Sequence, residues 1–348
     1  MIRLTRPGNL ISLSLLVALV ACSEDTTPPA PDAQVDATTD TPSAPDAADD
    51  TKKATDVPVA VDSGAPSPGD VANPCSEPPC GTWYGVADLP EPRTLHTATR
   101  LNDGRVLITG GSDATDTPMT SALLFDPETN QWSATGPMLN PREAHRATLL
   151  DDGRVLVTGG NPFSPVTSAE IYDPKVGLWA ETAKMNVPRA GHSATRLDDG
   201  RVLVAGGFAS APLADCEIFD PASGTWALYP KMVSAHSQHT ATRLSDGRVL
   251  VAGGAGPDGE ASTQAEIFDL AEGIWTAASK LNAARIRHTA SLLPDGRVLI
   301  AGGFNLSSSE IFDPAAGSWT AAGDLTHGRY NHTASETGGA VLVIGGWN

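Results

Sequence analysis

The sequence is short of positive charge. Its 348 residues carry 23 Lys and Arg against 41 Asp and Glu, which gives a formal net charge of −18. Residues 23–80 hold twelve acidic side chains against Lys52 and Lys53, so this segment contributes −10. Arg3 and Arg6 contribute +2, which leaves −10 on residues 81–348. We therefore expect neither nucleic acid nor anionic lipid headgroups as partners of that body.

Long hydrophobic runs are also scarce, and the run from Leu10 to Ala21 is too short to cross a bilayer. Because it follows Arg3 and Arg6, it is typical of a signal peptide. It ends in Leu19-Val20-Ala21-Cys22, which resembles the lipobox of bacterial lipoproteins. The resemblance implies that residues 1–22 are a lipoprotein signal and that Cys22 is acylated. It also implies a lipid-anchored protein of the bacterial cell envelope, and Ser23 after the cysteine favours the outer membrane.

The chain has four cysteines. Cys75 and Cys80 are spaced to close a small disulfide ring in an oxidising compartment. A metal site is the weaker interpretation, because no second pair or spaced His lies nearby. Cys216 stands where the neighbouring repeats have Ala169 and Ala265, which predicts a small buried thiol.

Residues 23–80 have almost no aromatic or branched apolar content and are rich in Asp, Ala, Thr and Pro. Such a segment cannot offset the entropy of ordering, so we predict a disordered linker. Its aspartates do not form the D-x-D-x-D-G pattern of a calcium loop.

Residues 81–348 contain one pattern six times. A Trp is followed thirteen residues later by a His, and about fourteen residues further by a Gly-Gly doublet. The period of 43 to 49 residues and the four short strand signals in each copy predict radially repeated sheets. The six copies are Trp83/His96/Gly110-Gly111, Trp132/His145/Gly159-Gly160, Trp179/His192/Gly206-Gly207, Trp226/His239/Gly253-Gly254, Trp275/His288/Gly302-Gly303 and Trp319/His332/Gly345-Gly346.

One copy shows how each sheet is built. His192–Leu197 is a short strand of small residues, and Asp199-Gly200 is a favoured type I′ hairpin turn. Arg201–Gly207 is continuously apolar, as expected of a strand covered on both faces. Asp220-Pro221 turns the chain into the outer strand that carries Trp226, and we expect the repeated Trp residues to pack between sheets.

This order of strand, Gly-Gly, strand with Tyr or Phe, and strand with Trp resembles the kelch repeat, and the resemblance covers residues 81–348. It implies an all-β, six-bladed β-propeller with four-stranded blades around a channel, labelled A (inner) to D (outer). It also implies that the D–A and B–C loops share one face.

The chain ends after the second strand of the sixth copy, at Trp347-Asn348. We expect the N-terminal strand near residues 82–86 to join the C-terminal pair and remove a sheet edge. The sixth blade is then expected to have three strands; the alternatives are that residues around Val57–Val61 supply another, or that the chain is cut short.

An Arg stands three positions before each repeated His, except in the fourth copy, where a His replaces it. A guanidinium suits planar anions, so these six groups form a candidate ligand-binding ring. The alternative is that each pairs within its blade with a strand-C glutamate: Glu170, Glu217, Glu266 or Glu310. The repeated histidines are likewise either structural or ligand contacts. The candidate ring is Arg93, Arg142, Arg189, His236, Arg285 and Arg329.

Departures from the repeat are less easily explained by the fold. They include Gln238, Tyr330 and Asn331, and the uneven loops after each Gly-Gly, where function often concentrates. Three of these loops carry an aromatic ring, at Phe163, Phe208 and Phe304.

We expect a non-catalytic binding module for a protein or glycan ligand, monomeric and without cofactor or metal. The alternative that the resemblance allows is an exported sugar isomerase acting by acid–base catalysis on a sialic-acid-like sugar. No zinc, phosphate-loop or Ser-His-Asp signature is present, and a kelch-type copper oxidase lacks the Tyr–Cys pair it would need.

Overall fold

The structure is a computed structural model that describes residues 59–61, 85–337 and 340–348. These residues form strands and no helix, arranged as five four-stranded sheets and one three-stranded sheet. The six sheets, here called blades 1 to 6, form a six-bladed β-propeller, which confirms the predicted fold class. The signal, lipidation and disulfide predictions for residues 1–22, Cys22, Cys75 and Cys80 lie outside the described residues.

Each of blades 1 to 5 is an antiparallel meander whose strands pair in chain order. The A strands are β2 (Thr97–Arg100), β6 (Arg146–Leu149), β10 (Ser193–Arg196), β14 (Thr240–Arg243), β18 (Thr289–Leu292) and β22 (Thr333–Glu336). The B strands are β3 (Val106–Thr109), β7 (Val155–Thr158), β11 (Val202–Ala205), β15 (Val249–Ala252), β19 (Val298–Ala301) and β23 (Val341–Ile344). The C strands are β4 (Ala122–Asp126), β8 (Ala169–Asp173), β12 (Cys216–Asp220), β16 (Ala265–Asp269) and β20 (Ser309–Asp313). The D strands are β5 (Gln131–Ala134), β9 (Leu178–Glu181), β13 (Thr225–Tyr229), β17 (Ile274–Ala277) and β21 (Ser318–Ala322).

The hydrophobic core lies between the blades. In blades 1 to 5 all four residues of each B strand are buried, because each of these strands has a neighbouring sheet on both faces. Between blades 3 and 4, for example, Leu203 and Ile218 pack with Val251, Phe268 and Trp275. Cys216 belongs to this cluster as a buried free thiol, and burial raises its pKa to about 12. The inert buried thiol predicted at this position is therefore what the structure shows.

The Gly-Gly doublet allows the loop entering the next blade to cross close to the backbone. Gly206 has φ +61°, and a Cβ there would lie 2.4 Å from the carbonyl oxygen of His236. Gly207, with φ +99°, donates its N–H to that same oxygen at 2.8 Å. Both the conformation and the close approach exclude other residues, which explains the repetition of the doublet.

The tryptophans of the D strands link neighbouring blades. Trp179 lies against Tyr172 of its own sheet, with ring centroids 5.0 Å apart, and its indole N–H donates to the Gly136 carbonyl of the preceding blade at 2.8 Å. Trp179 and Trp275 are buried, whereas the other three described D-strand tryptophans are partly exposed. Those three are Trp132, Trp226 and Trp319.

The sixth blade is completed from the N-terminal side of the chain. Strand β1 (Val59–Val61) pairs in parallel with β23, so that Val59 lies opposite Val341. Of the alternatives that the sequence left open, the structure shows the one in which residues around Val57–Val61 fill the gap. These three residues lie within the segment predicted to be a linker.

The predicted closing strand at residues 82–86 falls partly outside the described residues, and Gly85 and Val86 are not in a strand. Val86 nevertheless packs against blade 1, and the Trp132 indole donates to the Ala87 carbonyl at 2.7 Å. This bond is the counterpart of the bond from Trp179 to Gly136, so Ala87 occupies the position that follows a D strand elsewhere.

Candidate functional site

Three of the candidate ring arginines are fully buried in ion pairs with strand-C glutamates. The Arg142 guanidinium lies 2.6 Å from Glu170, and both side chains are inaccessible to solvent. Arg142 also donates to the carbonyl oxygens of Gly159 at 2.8 Å and Ser168 at 3.1 Å. The other oxygen of Glu170 accepts the backbone N–H of Leu139 at 2.7 Å. The other pairs of this kind are Arg189–Glu217 and Arg285–Glu310.

The fourth copy achieves the same arrangement with His236. Its Nδ1 lies 2.7 Å from the Gly253 carbonyl and its Nε2 lies 3.2 Å from Glu266. Glu266 accepts the backbone N–H groups of Val233 and Ser234. In these four copies the geometry therefore matches the structural alternative, in which the pair fastens the D–A loop to the blade it enters.

The first and sixth copies have no strand-C glutamate to pair with. Blade 1 has Leu123 at that position, and Arg93 donates instead to Gly110 and Ser121 carbonyls and lies 3.6 Å from Glu91. Arg329 donates to the Gly345 carbonyl at 2.8 Å. Arg93 is still buried, so Arg329, which is partly exposed, is the member of the candidate ring most accessible to a ligand.

Exchanging His236 for the arginine of the other copies should stabilise the fold. In His236→Arg, the longer side chain can hold the Gly253 carbonyl and Glu266 through several N–H groups, as Arg285 holds Gly302 and Glu310. We expect the free energy of unfolding to rise by about 1 kcal/mol. Urea unfolding at pH 7.5 measures this, and a loss of stability would contradict the structural role given to this position.

The six repeated histidines form a second set of buried groups. Each of five of them places Nε2 against a hydroxyl: His239 against Ser193 at 2.9 Å, and His288 against Thr240 at 3.0 Å. Burial is the main cause that lowers the pKa of His145 and His288 to about 3, and of His96 and His332 to about 4. Burial also holds the pKa of His192 and His239 well below the usual value. The side chains of the six repeated histidines are therefore neutral at pH 7.

The residue before each histidine has a positive φ, between 50° and 58°. These residues form a chain of backbone hydrogen bonds around the axis, from N–H to carbonyl of the preceding blade, with N–O distances of 2.8 to 3.2 Å. We call them the mouth residues; their five hydrogen bonds link them in order from blade 1 to blade 6. They are Leu95, Ala144, Gly191, Gln238, Arg287 and Asn331.

Side chains on one side of this mouth contact each other. The Arg287 Nε donates to the Gln238 side-chain oxygen at 2.7 Å, and its guanidinium carbon lies 5.8 Å from the centre of the Tyr330 ring. Phe304 meets Tyr330 edge-on at 5.1 Å. Arg287 was not among the candidates from sequence. Comparing the six repeats column by column would have found it, because its column varies completely in side-chain type.

The same face carries the exposed aromatic rings. Isolated β-bridges such as Ala190 with Phe208 and Tyr330 with Trp347 join the D–A and B–C loops on this side. Among the described residues, the exposed Phe, Trp and Tyr side chains all follow Gly-Gly doublets. We call these four residues the aromatic rim: Phe163, 90% exposed, and Phe208, Phe304 and Trp347.

Two searches for other functional features gave negative results within the described ranges. No group of three or more His, Cys, Asp or Glu is placed to hold a metal ion. No helix there is long and apolar enough to span a membrane.

Comparisons with known proteins agree with this architecture. The Kelch motif family matches residues 93–139 and 188–233. The solved structure of YjhT superposes with a TM-score of 0.60 at 18% identity, covering 74% of this chain and 92% of that chain. No curated protein matches the sequence.

Proposed function

We propose that this β-propeller, which matches the Kelch motif family over residues 93–139 and 188–233, is a binding module that takes a protein or glycan ligand on the face formed by the D–A and B–C loops. The observation that carries this proposal is the aromatic rim. Exposed aromatic side chains gathered on one face are costly unless a partner covers them, and aromatic residues dominate binding energy at interfaces.

The pKa values at the channel favour binding over the isomerase alternative. An efficient general acid or base has a pKa near the working pH. The channel histidines are held at pKa values of about 3 to 4 or well below the usual value, so they are poorly matched to proton transfer at pH 7. An NMR assay of anomer exchange with free sialic acid tests the alternative, and a rate above the buffer blank would support it.

We expect the aromatic rim to carry most of the affinity. The variant Phe163→Ser/Phe304→Ser should bind its ligand at least tenfold more weakly, because loss of two aromatic contacts costs roughly 1.4 kcal/mol or more. Affinity is measured on a glycan array and by pulldown from envelope extracts, followed by titration with the captured species.

The matched control is Leu178→Ser, which removes an apolar side chain of comparable exposure, 62%, from the outer strand β9. It should bind as the parent does. Equal capture by the rim variant and the parent, with unchanged melting temperatures, would remove this face from consideration.

We also propose that the propeller is held at the bacterial outer membrane by a lipid on Cys22, with residues 23–58, which precede β1, as a tether. The sequence pattern of residues 1–22 supports this. Cys22→Ser should move the protein from the membrane fraction to the soluble fraction and abolish labelling by radioactive palmitate. Unchanged fractionation of this variant would contradict the anchor.

A further inference from the structure

One inner-strand position departs from the repeat in a way that the fold does not explain. The first residue of each A strand bears a hydroxyl in five blades and is an arginine in blade 2. The hydroxyls of Thr97, Ser193, Thr240 and Thr289 each contact the histidine of the following blade. The position reads Thr97, Arg146, Ser193, Thr240, Thr289 and Thr333.

The histidine of blade 3, His192, has a different hydroxyl partner from the other histidines. Arg146 has no hydroxyl that could contact His192. The Nε2 of His192 lies instead 2.8 Å from the hydroxyl of Thr158, on the B strand of blade 2. The Arg146 side chain is thus released from the role that its counterparts play between blades.

Arg146 begins the inner strand β6, which contacts the inner strands β2 and β10 on either side. Its positive charge is one cause of the low pKa of His145, His192 and His239, which stand on blades 2, 3 and 4. Its side chain is partly exposed to solvent. Blades 1 and 3 pack against the two faces of blade 2, so the remaining open side of this inner strand faces the channel.

Arg146 has no charge partner. Its guanidinium makes no hydrogen bond or ion pair with any residue that the structure describes, whereas the buried arginines three positions before the histidines each have an ion pair and further hydrogen bonds. Burial lowers its pKa, and no carboxylate opposes this effect. An arginine stays protonated at pH 7 even so, which leaves one uncompensated positive charge within a ring of neutral histidines.

Other charged groups near the channel have hydrogen-bond or ion-pair partners, although those of Arg287 and Arg329 are uncharged. Glu143 is buried and accepts the Ser112 hydroxyl. Arg196 and Arg243, at the opposite ends of their A strands, pair with Asp151 and Asp198. At the mouth, Arg287 is held by Gln238.

We propose that the channel is an anion site in which Arg146 receives one carboxylate group of the ligand. A guanidinium fork binds a carboxylate with two parallel hydrogen bonds. The hydroxyls at the equivalent position of the other A strands can donate to the remaining lone pairs of the carboxylate. An unpaired, partly desolvated cation is costly to the fold, and an entering anion removes that cost. The inference rests on the proposed function in that the site opens on the ligand-binding face, and it names the chemical class of the ligand.

The test uses sodium acetate as the probe, on the parent protein and on Arg146→Thr. Threonine stands at four of the equivalent positions, so this variant should fold. We expect acetate, replacing chloride at constant ionic strength, to raise the melting temperature of the parent saturably and to leave Arg146→Thr unchanged. The control Arg243→Thr removes a channel-end arginine and should respond as the parent does.

Two larger acids then distinguish the source of the carboxylate: glucuronate, with glucose as its neutral match, and N-acetylglycine, which resembles a peptide C-terminus. The one that competes with acetate more tightly identifies the source. The proposal would be overturned if acetate raised the melting temperature of the parent and of Arg146→Thr equally, or did not raise that of the parent. It would also be overturned if neither glucuronate nor N-acetylglycine competed with acetate. Loss of acetate binding in Arg146→Thr but not in the aromatic-rim variant separates this site from the rim.

Discussion

The propeller should unfold when the pH falls from 6.5 towards 4. The six repeated histidines are neutral in the folded state, with pKa values of about 3 to 4 where given and well below the usual value for His192 and His239. In the unfolded chain each has a pKa near 6.5. The unfolded state therefore binds more protons below pH 6.5, and stability that is complete above this pH is lost progressively as the pH falls.

The expected loss is large. At pH 5 each histidine costs about 2 kcal/mol, so six cost about 12 kcal/mol, which is comparable to the whole stability of a typical domain. Urea unfolding between pH 8 and pH 5 should show this fall, with about five protons taken up on unfolding at pH 5.5. His288→Gln should reduce the uptake by about one.

Other titrations occur in a separate window. The hairpin aspartates Asp103, Asp152, Asp246 and Asp295 have pKa values lowered from 3.8, chiefly by the neighbouring arginine side chain. They contribute stability that is lost only below about pH 4. A free energy of unfolding that stays constant from pH 7 to pH 5 would therefore contradict the burial of the histidine ring.

Breaking a buried ion pair should be the most damaging charge substitution. In Arg189→Met, Glu217 keeps its bonds to the backbone N–H groups of Asn186 and Val187 but loses its cation in a fully buried site. We expect a loss of about 3 to 5 kcal/mol in the free energy of unfolding. Glu217→Gln should cost less, because the amide oxygen still accepts one of these bonds.

The exposed pair Arg201–Asp199 is the matched control, since its arginine also repeats in every hairpin of blades 1 to 5. Its side chains are 34% and 39% exposed, so Arg201→Met should cost less than about 1 kcal/mol. Similar losses in Arg189→Met and Arg201→Met would show that the buried pair does not secure the D–A loop.

The repeat made the propeller predictable, because Asp-Gly turns, apolar B strands and Gly-Gly doublets each have a local physical cause. The third strand of the sixth blade was less predictable, since Val59–Val61 is a short apolar stretch within an acidic segment and pairs with β23 far along the chain.

The candidate site was harder to predict. The arginine before each histidine suggested a ring of ligand contacts. Whether these arginines are buried, and whether Glu170 or Glu217 can pair with them, depends on how the D–A loop crosses the blade. Arg146 and Arg287 were not predicted, because neither residue belongs to a repeated motif of the sequence. Both stand in columns where the repeated residue changes, and such columns carry the information that the fold does not require.

The central claim is that the arginines of the D–A loops serve the fold, whereas Arg146 offers an unpaired charge in the channel. The most direct test is the ¹H–¹⁵N spectrum of the arginine side chains, titrated with acetate and assigned by Arg146→Thr. The account predicts that acetate shifts the Arg146 signal while those of Arg142, Arg189 and Arg285 stay in place. Shifts in the latter three with an unchanged Arg146 signal would contradict it.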